Sequence, residues 1–397
     1  MPEQYLHGVE VVEVDDGIRP IQTVKSSIIG LIGTAPDADA AKFPLNEPVL
    51  IPGNPRLGAD LGAAGTLKDA LDAIFDQAGA MVVVVRVTEG VDTDAPLSIV
   101  GDATTMTGVH AFLAAEAKVK VTPRMLIAPG YTSQRPAAAA NPVVAEMIGV
   151  AQKLRAVIFA DGPGTTDADA ITYREDWDSD RVMVIDPGVL VWDTATSANV
   201  AQPASARFAG MQAKLDNERG FWWSVSNQPL NGVTGIARPI AFNLSDTNSQ
   251  ANHLNENEVS TIVHREGYRS WGNRTTSTDP QKAFLSVRRT IDMVAESVEV
   301  NHLWAMDRPM SVNLFSDIVE GVNAYLRHLK AVGAILGGTA WIDETLNTPD
   351  QMMAGKLTVD FDIEPPAPLE HLTFRVHRNS DYYADLIEEV TREIAAA

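Results

Sequence analysis

The sequence of 397 residues contains no cysteine. A disulfide framework and thiolate metal ligands are therefore excluded. Long hydrophobic runs are also missing, because the longest purely aliphatic stretch, Met81–Val85, is much too short to span a bilayer. The N-terminus MPEQYLHGVE has no basic region followed by an apolar run, so no secretory signal is predicted. We expect a soluble protein that is made in a cytoplasm.

Motifs for catalysis and nucleotide binding are equally scarce. Neither a Walker-type GxxxxGK[ST] nor a GxSxG nucleophile motif occurs. One stretch, AVIFADGPGTTDAD at Ala156–Asp169, partly matches the GxGxxG motif of dinucleotide-binding proteins, because Gly162 and Gly164 form GxG after an apolar run. However, Asp167 stands where GxGxxG requires its last glycine, and Pro163 removes an N–H that a phosphate would need. The stretch indicates a strand-to-helix connection, and a nucleotide-binding α/β enzyme stays as the alternative function.

Metal sites and cofactors are not predicted either. The eight histidines are scattered, and the closest pair, His371 and His377, would share a strand face at a separation too large for one metal ion. The many acidic residues show no D-x-D-x-D-G spacing of a calcium loop. We therefore expect no catalytic residue, no metal ligand and no cofactor.

The charge balance is strongly acidic, with a formal net charge of −21 at pH 7. Nucleic acid and anionic membranes would be repelled by such a chain and are not expected as partners. Acidic residues are concentrated at both ends, in residues 1–16 and 379–397. By contrast, residues 265–289 are rich in Lys and Arg, and the predicted basic acceptor segment there comprises Arg274, Arg288 and Arg289. The alternative is that this segment pairs within the subunit, for instance with Asp292 and Glu296 on its own helix.

The length favours two or three domains. Between residues 26 and 265, apolar runs alternate with helix-like segments, which predicts α/β layers around a largely parallel sheet. Runs such as MVVVV lack polar alternation, so both faces of the sheet are expected to be covered. The predicted strands are Ser27–Ile32, Met81–Val87, Met125–Ala128, Val157–Ala160 and Val182–Ile185. The predicted helices are Thr66–Ala78, Val109–Val119, Val143–Leu154 and Ala204–Asn217.

The last third has a different pattern, with two long helices predicted at 282–300 and 315–336 and with Ser316 as the N-cap of the second. Two stretches of alternating apolar residues, KLTVDFDI and HLTFRVH, then predict a β-hairpin joined by EPPAPLE. A two-stranded hairpin is marginally stable alone, so further strands are expected from elsewhere. The predicted acceptor residues of this sheet are Leu357, Val359, Phe361, Leu372, Phe374 and Val376.

The two chain ends are predicted to provide such strands to neighbouring subunits. Residues 1–16 contain a strand-like VEVVEV with no hairpin partner in the residues that follow. Two frayed tails are the alternative interpretation. The predicted strand-adding residues are Val9, Val11, Val12 and Val14 in the N-terminal arm and Tyr382, Tyr383, Leu386 and Ile387 in the C-terminal arm.

Several segments in a fixed order carry a resemblance to a known family. They are HGVEVVEVDDGIRPI, SSIIGLIGTAP, WGNRT, FLSVRRTIDMVAESV, LWAMDRP, GVNAYLRHLKAVGAILGG and DFDIEPPAPLEHLTFRV. In this combination the sequence resembles the tail sheath proteins of contractile-tailed bacteriophages, which include the sheaths of R-type bacteriocins. The region from about 90 to 255 matches only in general character.

The resemblance implies a multidomain fold of the α/β and α+β classes. An inner α+β domain would hold a small sheet that is completed by the terminal arms of neighbouring subunits, and an outer domain would be α/β. The expected division is an N-terminal arm at 1–25, an outer domain at 26–265, an inner domain at 266–378 and a C-terminal arm at 379–397.

The resemblance also implies a structural role without enzymatic activity. Subunits would form hexameric rings stacked helically around an inner tube protein, with baseplate and tail terminator proteins as further partners. Contraction would drive the tube through a bacterial envelope, and the location would be the virion tail after assembly in the host cytoplasm. The implied tube contact is an inner-domain helix carrying Arg327, His328 and Lys330, although these side chains could equally interact with the negative end of the helix dipole. The sequence resembles neither of the two chains that form bacterial secretion sheaths.

Overall fold

The computed structural model describes residues 20–90 and 95–396. The chain divides into two units, one ending at Ala367 and one beginning at Pro368. The strands are β1 (Ile29–Thr34), β2 (Pro48–Pro52), β3 (Met81–Val87), β4 (Met125–Ile127), β5 (Val157–Asp161), β6 (Val182–Ile185), β7 (Val189–Asp193), β8 (Ala198–Gln202), β9 (Gly235–Ile236), β10 (Val259–His264), β11 (Tyr268–Trp271), β12 (Gly337–Trp341) and β13 (Asp360–Glu364). The α-helices are α1 (Leu67–Phe75), α2 (Ala95–Val100), α3 (Ala115–Val119), α4 (Pro142–Leu154), α5 (Asp167–Glu175), α6 (Ser205–Glu218), α7 (Gln250–Glu256), α8 (Leu285–Asn301), α9 (Val312–Val332), α10 (Pro349–Met353) and α11 (Tyr382–Ala396).

The larger unit is built on an eight-stranded sheet with the strand order β11-β10-β6-β5-β4-β1-β3-β2. The six inner strands are parallel, and each edge strand pairs antiparallel with its neighbour. Successive side chains of β3 enter opposite cores, Val82 and Val84 on one face and Val83 and Val85 on the other. The unbroken apolar sequence therefore reflects a sheet covered on both faces. The predicted mixed α/β fold is confirmed.

Helices cover both faces of this sheet. The helices α1 and α6 share one core, which contains Leu71 and Phe208, and α4 contributes Met147 to the opposite core. The segment predicted as one helix at 109–119 is instead a 3-10 turn, Gly108–Ala114, followed by α3. The other strands and helices predicted for this region lie within three residues of their expected bounds. A three-stranded sheet of order β8-β7-β9 adds to the same unit.

The two long helices α8 and α9 form a third core with Met293 and Leu326 among its buried members. The helix α9 begins earlier than predicted, because Ser311 rather than Ser316 is its N-cap. The Ser311 hydroxyl accepts a hydrogen bond from the backbone N–H of Leu314, and its own backbone is extended, as an N-cap requires. Ser316 lies inside the helix, where its backbone is already bonded.

The predicted hairpin does not form within the chain. The strand β13 pairs antiparallel with β12, and residues 371–377 have no regular secondary structure. Of the predicted acceptor residues, Phe361 lies on β13, whereas Leu357 and Val359 precede it. The pairing with β12 is favoured because Ala340 of β12 and Phe361 pack together in the core formed with α9. The prolines of EPPAPLE also oppose the tight turn that a hairpin needs.

Candidate subunit interface

The glycine-rich turn after β5 is filled by the protein's own side chains. The carboxylate of Asp161 accepts hydrogen bonds from the backbone N–H groups of Ala204 and Ser205, each at 2.8 Å, and from the Ser205 hydroxyl at 2.5 Å. It therefore satisfies backbone N–H groups at the N-terminal end of α6 that have no partner within the helix. Burial raises the pKa of Asp161, and these hydrogen bonds oppose that shift.

A second carboxylate closes the same turn. Asp186 is fully buried, accepts the Gly164 N–H at 2.5 Å and pairs with Arg238 at 2.5 Å. A side chain at Gly162 would meet Asp186 at 2.8 Å, so the glycine is required by close packing. Two buried carboxylates occupy the place that a phosphate would need. The stretch is a structural connection, in agreement with the sequence-based interpretation.

Within the described residues, no group of three or more His, Asp and Glu side chains is arranged to hold a metal ion. No helix of that part of the chain is long and apolar enough to cross a membrane. His371 and His377 are exposed in the irregular segment 371–377, where His371 lies 3.2 Å from the Thr373 hydroxyl.

The predicted basic acceptor segment is largely committed to contacts inside the chain. Arg289 of α8 is 2% exposed and forms a bidentate ion pair with Asp216 of α6, whose side chain is 0% exposed, at 2.8 and 2.5 Å. Arg288 pairs with Asp180 at 3.1 Å and also with Asp292. These two arginines are therefore not the exposed cations that the sequence led us to expect. Arg274 lies with its guanidinium 5.1 Å from the centre of the Phe284 ring.

Further ion pairs join α8 to the large α/β layer. Arg181, beside β6, makes a bidentate contact with Asp292 of α8 at 2.6 and 3.0 Å. Arg124 pairs with Glu296, and burial lowers the pKa of the arginine and raises that of the glutamate. We call the three pairs Arg181–Asp292, Arg124–Glu296 and Arg289–Asp216 the α8 ion-pair seam. It fixes α8 against the sheet.

The two-stranded sheet has two distinct faces. Ala340 of β12 and Phe361 and Ile363 of β13 point toward α9 and its core. In an antiparallel pair, residues directly opposite share a face, so Asp360 and Asp362 lie on the other face of the sheet. Both strands are short, and each strand has one edge that does not pair with the other strand.

One of these edges is closed by a side chain that sequence reasoning missed. Asn323 of α9 accepts the N–H of Ala340 at 2.8 Å and donates to its carbonyl at 3.1 Å. A polar residue among the apolar positions of a buried helix would have been the signal for such a role. The strand β12, within the Gly-Gly-Thr-Ala-Trp sequence, was also missed, because glycine weakens the strand signal.

The second unit exposes an unusual amount of apolar surface. Phe374 is 82% and Val376 is 91% exposed. The predicted C-terminal arm residues lie on the helix α11, whose backbone bonds are internal, and not on a strand. The exposed apolar side chains of this unit are Leu369, Leu372, Phe374, Val376, Tyr382, Tyr383, Leu386, Ile387, Val390 and Ile394.

The three side chains expected to contact a tube are on the surface of α9. Arg327, His328 and Lys330 are all exposed, and Arg327 approaches Glu320 at 3.6 Å. The N-terminal arm residues Val9, Val11, Val12 and Val14 lie outside the described residues.

An open-edged sheet and an apolar chain end are features of a protein that is completed by other chains. Three family models match: the N-terminal region of domain III of tail sheath protein Gp18 at residues 26–87, the phage tail sheath protein central domain at 104–276, and the phage tail sheath C-terminal domain at 277–379. The tail sheath protein of Escherichia phage P2 is 39% identical, with 97% of this chain and 98% of the relative covered. The major tail sheath protein of Serratia phage KSP20 is 36% identical over 96% and 98% of the two chains.

The chain belongs to the phage tail sheath protein family. Members of this family are structural proteins and not enzymes. The fold of this chain is similar to that of the helical sheath of the anti-feeding prophage in the contracted state. The TM-score is 0.69, with 19% identity over 95% of this chain and 100% of that chain. The resemblance stated from the sequence is thus confirmed.

Proposed function

We propose that copies of this chain polymerise helically, as stacked hexameric rings, around an inner tube, and that contraction of the resulting sheath drives the tube through a bacterial envelope. The family and the sheath-like fold support this proposal. The observation that carries it is the combination of a two-stranded sheet with a chain end, residues 368–396, whose apolar side chains are all accessible. Exposed apolar surface of this extent is typical of a site that another chain covers.

We assign residues 26–265 to an outer domain and residues 266–378 to an inner domain, with an arm at each end. The change from the large sheet to the α8–α9 pair falls after Trp271, close to this boundary, although β11 still pairs with β10 of the large sheet. The inner sheet would gain strands from terminal segments of neighbouring copies. Because α11 is helical, residues 371–377 replace the predicted Tyr382–Ile387 as the C-terminal strand in this proposal.

The tube would be held by the exposed cations Arg327, His328 and Lys330 of α9. Exposed ion pairs contribute only about 0–1 kcal/mol each, but repetition around a ring multiplies them. Exposed ion pairs of this kind can dissociate when the sheath contracts, whereas a buried apolar interface could not. Baseplate and terminator proteins would bind the ends of the assembly.

Negative-stain electron microscopy of the purified chain tests the proposal. The full chain should form sheath-like tubes, whereas a variant lacking residues 368–397 should stay small and keep the circular dichroism of the folded α/β unit. Removal of the N-terminal residues 1–16 provides a second truncation for comparison. Persistent small oligomers of the full chain at high concentration, with or without tube protein, would contradict the proposal.

A further inference from the structure

The large sheet carries a cleft at one edge that the proposed function does not use. The cleft has a volume of about 270 Å³ and lies beside β10 and the edge strand β11. Its lining comes from three parts of the chain: the β10–β11 hairpin, the segment between β9 and α7, and the backbone turn at Asn227. Side chains of opposite character, apolar and cationic, meet there.

The floor of the cleft is apolar and aromatic. Val263 is buried in the core below it, and the rings of Phe242 and Trp271 pack edge to face with their centres 4.9 Å apart. Both aromatic residues are only partly buried, and Leu244, which also lines the cleft, is 59% exposed. The cleft therefore presents apolar surface that the subunit leaves accessible.

One cation of the cleft is held in a fixed position. The side chain of Arg269 on β11 is 26% exposed; its Nε donates to the carbonyl of Arg265 at 3.1 Å and its Nη1 to the carbonyl of Asn227 at 3.2 Å. These bonds use two of the five N–H groups of the guanidinium. Its Nη2 lies 4.0 Å from the Glu266 carboxylate, beyond hydrogen-bond distance. The guanidinium therefore keeps donors for a ligand and loses little freedom when it binds one.

The other charges of the cleft also favour an anion. Arg265 is exposed, and among the described residues it pairs with no carboxylate. Glu266 is the one acid among the described lining residues, and its side chain is 85% exposed. Two guanidinium groups thus stand against a single exposed carboxylate, in a chain whose net charge is −21.

An organic carboxylate satisfies both parts of this cleft. A carboxylate accepts two parallel hydrogen bonds from a guanidinium, and an apolar body attached to it would cover the aromatic floor. A cation would be repelled by Arg265 and Arg269, and an inorganic anion would leave the floor in water. The volume is below the roughly 300–1,000 Å³ typical of sites for larger ligands, so it admits one small ring or one side chain.

We propose that the cleft binds a carboxylate carried on a small apolar group, with the carboxylate on Arg265 and Arg269 and the apolar group on Phe242 and Trp271. Glu266 is then a competitor for the same cations, and the ligand replaces its weak contact with Arg269. Two sources carry this chemistry: a free small carboxylate, and an acidic residue beside an apolar one in a peptide segment of another protein.

Titration of the full chain with phenylacetate, followed by ligand-observed NMR, tests the proposal. We expect saturable binding with a dissociation constant on the order of 1–10 mM, as suits a ligand of this size. Phenylacetamide has the same shape without the charge, and acetate has the charge without the ring. Neither should saturate over the same range of concentrations. Binding is measured whether or not the chain polymerises, so the result is independent of the proposed sheath function.

Substitutions around the cleft should act with opposite signs. Arg269→Met should weaken phenylacetate binding by about tenfold or more, and Arg265→Met, at an exposed position, by about threefold. Glu266→Gln should instead strengthen it by about twofold to threefold, because a competing carboxylate is removed. Arg56→Met, the same change at an exposed arginine outside the cleft, is the control and should have no effect. Circular dichroism checks the fold of each variant, and Arg265→Met and Glu266→Gln decide the outcome if Arg269→Met does not fold.

Three results would overturn the proposal: equal binding of phenylacetate and phenylacetamide, unchanged affinity in the arginine variants, or weaker binding in Glu266→Gln. Competition then identifies the source of the carboxylate. If N-acetyl-Phe-Glu-amide displaces phenylacetate at a lower concentration than phenylacetate itself needs, the ligand is a peptide segment. If the peptide is the weaker competitor, the ligand is a free small carboxylate.

Discussion

Substitution of Arg289 by methionine should strongly destabilise the subunit. The change would leave the Asp216 carboxylate, which is fully buried, without the cation that contacts it at 2.5 and 2.8 Å. It would also remove donors to the carbonyls of Ser26 and Phe221, at 3.3 and 3.5 Å. Removing one partner of a buried ion pair typically costs about 3–5 kcal/mol, because the remaining charge is desolvated and uncompensated.

The matched control is Arg327→Met, the same substitution at an exposed pair. Arg327 is 65% exposed and lies 3.6 Å from Glu320, so its loss should change the free energy of unfolding by less than about 1 kcal/mol. Urea unfolding of the unassembled subunit, followed by circular dichroism, measures both effects. The double variant Arg289→Met/Asp216→Leu should recover much of the loss, since no unpaired charge remains. If Arg289→Met costs no more than Arg327→Met, the pair does not stabilise the fold and the reasoning fails.

Four further outcomes are expected. Deletion of residues 1–16 should abolish tube formation in sedimentation while leaving the circular dichroism unchanged; normal tubes would exclude a role for this arm. Changing Arg327 and Lys330 to Glu should preserve folding and self-assembly but prevent co-assembly with tube protein in electron micrographs, and decorated tubes would place the grip elsewhere. Asp161→Ala should lower the free energy of unfolding by about 1–2 kcal/mol through loss of the α6 cap, whereas Asp169→Ala, at an exposed carboxylate, should cost less. Because burial raises the pKa of Asp161 above its ordinary 3.8, the folded chain binds this proton more tightly than the unfolded chain. Its contribution to stability therefore rises as pH falls from above the folded-state pKa toward 3.8, and Asp161→Asn should remove that dependence.

The fold of the large α/β layer could be predicted because its signals are local. The sequence MVVVVRV of β3 has no polar position facing solvent, and both of its faces are in fact covered. The helices α4 and α6 likewise follow from apolar periodicity. The strand β12 could not be found in this way, because its five residues begin with two glycines and its partner β13 lies some twenty residues further along the chain.

The site was harder to predict for a related reason. A cluster of basic residues in an acidic chain indicates an exposed binding surface, yet burial of an arginine depends on where its partner lies. The partner of Arg289 is 73 residues away on α6, and nothing in the local sequence of α8 reveals it. The hairpin prediction failed similarly, since the alternation of 371–377 is typical of a strand but does not specify a partner, and the segment has no regular secondary structure here.

Burial separates the cations of this chain into two groups with different consequences. Those of the α8 ion-pair seam are desolvated and paired inside the subunit, so they are poorly screened by salt and hold α8 against the sheet. Arg327 and Lys330, the proposed tube contacts, are exposed, so the interactions proposed for them with other chains would be weak, reversible and sensitive to ionic strength. A subunit that must move within an assembly without unfolding needs both: strong charge pairs within itself and weak ones toward its neighbours.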